Sequence, residues 1–155
     1  MNSKDFKLKV LKQPSESVCY LDHKDTVIGI CTYNGEFLLI NQLRPIFKDN
    51  FWEFPGGSIE VNESGDEAVK REIQEETGVQ VDQGRKLIEF IPSIGTSNET
   101  ISVYHFSLNS NPIGKTTNNC RLFSLKELDS EFSKDQLLDG KTYLAFLYYL
   151  RNTPS

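Results

Sequence analysis

Polar and apolar residues alternate from Lys7 to Leu11, and a second β-prone run covers Val18 to Leu21, with Gln13-Pro14-Ser15 between them. The chain is therefore expected to open with a hairpin or a pair of outlying strands. Thr26 to Tyr33 is rich in β-formers, Asn34-Gly35 is a strong type I′ turn signal, and Glu36 to Gln42 continues as the partner strand. A loop through Ile46 to Asn50 leads to Phe51-Trp52-Glu53-Phe54-Pro55-Gly56-Gly57, where the proline and glycines are expected to break regular structure. Arg85 to Ile91 and Ile101 to Leu108 read as two further strands, and the polar stretch from Asn109 to Asn119, with Pro112 and Gly114, as a mobile loop. Arg121 to Leu125 reads as a last strand, with a helical turn over Leu125 to Asp129. The apolar density of Asp139 to Leu150 favours a helix lying on one face of the sheet.

One segment changes the period. Ala68, Val69 and Ile73 form an apolar stripe at helical spacing, and the signals at both ends bound a helix over Gly65 to Thr77. Ser64 is placed to cap it, Glu67 completes a capping box three residues on, and Gly78 can take the left-handed conformation that ends it. Glu72 and Glu76 lie one turn apart on this helix and Glu75 beside both. Like charges at that spacing repel, and acids in a last turn oppose the helix dipole; each effect costs a few tenths of a kcal/mol or more. A divalent cation would reverse both signs. The donors are all oxygen, which suits Mg²⁺, or Mn²⁺ in its place, better than zinc, and hard cations of this kind usually bring phosphate with them.

The 155 residues carry a net charge of −5 and suffice for one domain over residues 1–155, with residues 1–24 as a short N-terminal β extension. No basic stripe is present, which argues against binding a nucleic-acid duplex. The first residues are polar and charged and lack the apolar core of a signal peptide, and no apolar run approaches the span of a bilayer, so neither export nor a membrane partner is expected. Cys19, Cys31 and Cys120 form no metal-like pair and read as free thiols of a reducing cytoplasm. His23 and His105 are isolated and read as structural or surface residues.

The pattern Gly57, five residues, Glu63, seven residues, Arg71-Glu72-Ile73-x-Glu75-Glu76-x-Gly78-Val79 resembles the full Nudix box. Gln42-Leu43-Arg44-Pro45 and Trp52-Glu53-Phe54-Pro55-Gly56-Gly57 are similar to the ADP-ribose pyrophosphatase branch of that family, as are the 92–99 connection and the Asp139-Gly-Lys-Thr opening of the last helix. The resemblance implies an α/β fold, an α/β/α sandwich with a mixed central sheet whose box helix carries the metal site. It also implies Mg²⁺-dependent hydrolysis of a nucleoside diphosphate derivative, ADP-ribose or a related nucleotide sugar, to a nucleoside monophosphate and a phosphorylated partner. The alternatives are a hydrolase of another nucleoside di- or triphosphate or of a dinucleotide, and a nucleotide-sensing module without turnover.

By the same resemblance Glu72 and Glu76 are metal ligands, Glu75 a further ligand or water-holding group, and the Gly56 carbonyl an additional ligand, while Arg71 orients a glutamate. Arg44 either forks onto phosphate or is a surface residue at a strand end. Trp52 or Phe51 either stacks on a base or is a buried aromatic. Glu53 and Glu99 reach ribose or metal. From Ser107 through Asn119 there is no Asp or Glu, where the branch often places a catalytic glutamate, so the general base is expected to be Glu75 or Glu72, with Glu99 as the candidate outside the box. The branch uses its N-terminal region to build a homodimer.

Overall fold

The computed structural model describes residues 6–12, 14, 17–114, 119–134 and 138–153. The connection expected at Gln13-Pro14-Ser15 and the loop expected over Asn109 to Asn119 lie partly outside these residues. The first two strands, β1 (Phe6–Lys12) and β2 (Ser17–His23), pair antiparallel as a separate two-stranded sheet, with Leu8 opposite Leu21. The remaining strands form one mixed sheet: β3 (Thr26–Tyr33), β4 (Glu36–Arg44), β5 (Asp49–Glu53), β6 (Gly56–Ser58), β7 (Arg85–Phe90), β8 (Ile101–Ser107) and β9 (Cys120–Phe123). The helices are α1 (Gly65–Thr77), α2 (Leu125–Phe132) and α3 (Gly140–Asn152). The α2 helix outlasts the expected turn because Ser124 and Glu127 form a capping box of their own.

The β3–β4 hairpin turns through Asn34 and Gly35, both at positive φ, as a type I′ turn requires. Its ladder runs only from Tyr33↔Glu36 to Cys31↔Leu38. Beyond that point β6 takes the free flank of β3, with Ile28 opposite Gly56 and Val27 opposite Gly57, and β5 pairs with β4, with Ile40 opposite Glu53. The expected break falls at Phe54-Pro55, between β5 and β6, but Gly56 and Gly57 are not part of it and belong to a strand. Pro55 has no N–H to give, but its carbonyl accepts from the Gly29 N–H at 2.8 Å, and the chain resumes pairing at once. A side chain at Gly56 would put its Cβ 2.2 Å from the Val27 carbonyl, so the approach of β6 to β3 requires glycine there.

The parallel pairing of β3 with β8 sets the crossover that holds α1 against the sheet. Alternation along β3 then sorts the core into two layers. Val27 and Cys31 face α1 and join Leu38, Ala68, Val69, Ile73, Tyr104 and Phe106. Ile28 and Ile30 point the other way and join Phe37, Leu39, Val103, Phe123, Leu128, Ala145 and Phe146, under α2 and α3. The result is an α/β/α sandwich, with α1 held to one face by side chains such as Ile73, whose full burial stabilises by about 1.5–3 kcal/mol. Of the three free cysteines, Cys31 is buried, and burial pushes its thiol up to about 12; it serves as a small core residue.

Candidate active site

The α1 helix is tied at both ends by the local chemistry its sequence announces. Ser64 Oγ accepts from the Glu67 N–H at 3.3 Å, Glu67 Oε2 accepts from the Ser64 N–H at 2.8 Å, and Gly78, at φ 76°, donates to the Gln74 carbonyl. With Ala68, Val69 and Ile73 buried, Glu72 and Glu76 are turned toward β6 and face a cavity of about 390 Å³. Glu76 Oε2 accepts from the Gly56 N–H at 2.9 Å. Burial pushes the Glu76 carboxyl up to about 7, with Glu72 and Glu53 adding to the rise and the Gly56 N–H and Arg44 opposing it. Burial also raises Glu72, against the pull of Arg71. A Cβ at Gly57 would fall 2.4 Å from the Glu72 carboxylate, so this glycine lets the backbone pass directly beside the acid.

Arg71 does not line the cavity; it works behind the acids. Its Nε and Nη2 donate to the two oxygens of Glu63 at 2.8 and 2.9 Å, Nη1 donates to Glu72 Oε1 at 2.7 Å and Glu75 Oε2 at 3.3 Å, and Nη2 also reaches the Ser58 carbonyl. The fork thereby fixes the Glu72 rotamer and ties α1 to the loop that precedes it. Arg71 holds the Glu63 carboxyl below its usual range, and Glu63 is a structural partner. Glu75 is the outlier of the expected trio: its side chain is 60% exposed and it lies outside the cavity wall.

Across the cavity Arg44 turns its fork onto Glu53 rather than presenting it to the opening. Nε donates to Glu53 Oε1 at 2.7 Å and Nη2 to Oε2. Glu53 is buried, and Arg44 is the group that balances it. Arg44→Met is expected to lower stability by about 2–3 kcal/mol, roughly 4–12 °C in melting temperature, because it strands a buried carboxylate. Adding Glu53→Gln to that variant should recover most of the loss, and an unchanged melting temperature in Arg44→Met would deny the pair its structural role. Trp52 takes the second of its two readings, an aromatic packed against the core. Successive strand residues face opposite ways, so Trp52 points away from Glu53, packs edge-on against Phe123 at 4.9 Å, and contributes nothing to the cavity; Phe51 also lies outside it, against Phe47.

Glu99 does face the cavity. Its Oε1 accepts from Thr26 Oγ1 at 2.6 Å. Thr26 is opposite Ser58, next to the Val27–Gly57 pair, which brings Glu99 to the neighbourhood of Glu72. His23, read from sequence as structural or surface, lines the same space: Nδ1 donates to the Lys24 carbonyl at 2.6 Å and lies 3.7 Å from Glu99 Oε1. His105 is structural, bonded to Thr32 Oγ1 and packed on Tyr149. Lys24, to which the sequence reading gives no part, and Asp139 and Lys141, which it quotes only as the opening of the last helix, also line the wall. Only the docking of β2 and α3 brings them there, and no local pattern encodes it.

A family model for the NUDIX domain matches residues 22–145, which includes every cavity residue named above. The chain belongs to the Nudix family. Among curated relatives, an 8-oxo-dGTP diphosphatase of Proteus vulgaris is 29% identical over 93 residues, 60% of this chain and 83% of the relative. An ADP-ribose pyrophosphatase of Bacillus subtilis (strain 168) is 25% identical over 103 residues, 66% of this chain and 51% of its own. An 8-oxo-dGTP diphosphatase of Buchnera aphidicola subsp. Schizaphis graminum (strain Sg) is 30% identical over 61 residues, 39% and 47% of the two chains. The matched stretch thus spans about half the length of the latter two.

Nudix enzymes act on nucleotide substrates and generally use a divalent metal such as Mg²⁺. The donor set of this Nudix chain suits such an ion: Glu72 and Glu76 both offer carboxylate oxygens to the cavity, and Gly57 lets the backbone pass directly beside Glu72. Among the described residues no three acidic, His or Cys side chains are drawn together into a finished cage. Mg²⁺ does not demand one, since it keeps several waters and is usually held by one or two carboxylates plus substrate phosphate. Among the described residues no helix is long and apolar enough to cross a membrane.

Proposed function

We propose that this Nudix protein hydrolyses the diphosphate bond of a nucleoside diphosphate derivative in the presence of Mg²⁺ or Mn²⁺, releasing a nucleoside monophosphate and a phosphorylated partner. The observation that carries the reading is the charge of the cavity. Glu53, Glu60, Glu72, Glu76, Glu99 and Asp139 line it against Lys24, Arg44 and Lys141. An anionic diphosphate entering such a space is repelled unless a divalent cation enters with it. When bound on Glu72 and Glu76, the cation would neutralise phosphate oxygens and lower the pKa of water. Arg71 holds Glu72 in place for that ligation, and the Gly56 N–H does the same for Glu76.

The proton of the attacking water needs an acceptor. Glu75 lies outside the cavity, and Glu72 is committed to Arg71 and the cation. We assign the role to Glu99, whose Oε1 is fixed by Thr26 and whose Oε2 has no hydrogen bond among the described residues. For the substrate we favour ADP-ribose or a related nucleotide sugar, supported by the Gln42-x-Arg44-Pro45 and Trp52-Glu53 motifs and by the relative of that name. The 8-oxo-dGTP diphosphatases among the relatives support a second reading, a nucleoside triphosphate. A Mg²⁺-dependent hydrolysis screen over ADP-ribose, other nucleotide sugars, dinucleotides and nucleoside triphosphates, with product identification, separates them. Turnover confined to triphosphates would favour the second reading, and no turnover across the panel would overturn hydrolysis altogether.

A further inference from the structure

Three cations line the cavity, and two are already engaged. Arg44 donates to Glu53, and Lys24 Nζ donates to Glu60 Oε2 at 3.0 Å. Lys141 is half-buried and makes no hydrogen bond or ion pair with any described residue. It is the second residue of α3, at the positive end of the helix dipole, where the capping Asp139 is the nearest acid in sequence. Nor is its backbone free to drift: Asp139 caps the helix through the Thr142 N–H at 2.9 Å, and the buried Thr142 Oγ1 accepts from the Phe54 N–H at 3.2 Å. That second bond fastens the start of α3 to the backbone linking Glu53 to Gly56.

We infer that Lys141 contacts the diphosphate of the substrate from the α3 side of the cavity and sets the affinity for that group. The inference rests on the hydrolase reading and names a residue that the box does not contain. A diphosphate would give the Lys141 ammonium a bonded partner and would itself be favoured at the positive end of α3. A lysine suits the task because phosphate oxygens can be met by a mobile point charge, without the planar fork that Arg44 devotes to Glu53. The side chain supplies binding energy rather than proton transfer, so its loss should act on affinity.

Titration calorimetry of inorganic pyrophosphate with Mg²⁺ into the wild type, Lys141→Met and Lys141→Arg tests this. Lys141→Met should bind roughly 10- to 100-fold more weakly, the expected scale for one charge-assisted hydrogen bond, and Lys141→Arg should recover most of the affinity. Melting temperatures of the three should agree, which a structural role would not allow. Equal pyrophosphate affinity in wild type and Lys141→Met, including no binding by either, overturns the inference. Lysine-dependent pyrophosphate binding by a wild type that cleaves nothing in the substrate screen would uphold Lys141 and sink the hydrolase reading instead.

Discussion

Glu76→Gln is expected to remove nearly all hydrolytic activity while making the metal-free protein more stable at neutral pH. Gln keeps an oxygen to accept from the Gly56 N–H, so the local hydrogen bond survives. What disappears is a buried charge. The folded-state pKa of Glu76 is raised from 4.5 to about 7, so the folded protein binds a proton more tightly than the unfolded chain does. Below pH 4.5 both states hold it and the residue exerts no penalty. Between pH 4.5 and 7 the unfolded chain releases its proton first and stability falls, and above 7 the full penalty applies, on the order of 3 kcal/mol. Thermal melts in chelator should therefore show Glu76→Gln above wild type at pH 8 and level with it at pH 4. A variant no more stable than wild type at pH 8 would mean that the protein relieves this charge by other means.

A second large effect is expected at Glu99. If it takes the proton, Glu99→Gln lowers kcat by about 10² to 10⁴ at saturating Mg²⁺ with little change in the Mg²⁺ concentration required. Glu72→Gln should also lose activity, but with a raised metal requirement, because there a ligand is removed. Glu75→Gln should fall by less than about 10-fold, since its exposed carboxylate only shares Arg71 with Glu72 and Glu63. Kinetics of the three variants across a Mg²⁺ series separate the roles. A small effect at Glu99 beside a large kcat loss at Glu75 would return the base to the exposed side of α1.

Local chemistry was readable and long-range pairing was not. Ser64, Glu67 and Gly78 bound α1 in the sequence as they do in the structure, because a cap is satisfied within four residues of itself. Asn34-Gly35 is of the same kind. Gly56 and Gly57 read as breakers because their strand partners, Ile28 and Val27, are some thirty residues away. The Glu72–Glu76 face followed from helical spacing, whereas the exposure of Glu75 on that helix depends on how α1 rolls onto β3 and β6. The two readings of Trp52 stayed open for a similar reason: alternation says that it opposes Glu53 but not which of the two faces the cavity. Arg44 turned onto Glu53 once β4 and β5 paired, and Lys141 reached the cavity only through the docking of α3 on Phe54.

Manganese binding followed by electron paramagnetic resonance tests the metal site without depending on any substrate. Free Mn²⁺ gives a signal that is lost on binding, so titration at pH 8 of wild type, Glu72→Gln and Glu76→Gln counts the ions held and the side chains that hold them. Binding by the wild type, competed by Mg²⁺ and weakened in both variants, is the expected result. Equal Mn²⁺ affinity in all three proteins would contradict the assignment of Glu72 and Glu76 as the groups that bring a divalent cation into the cavity.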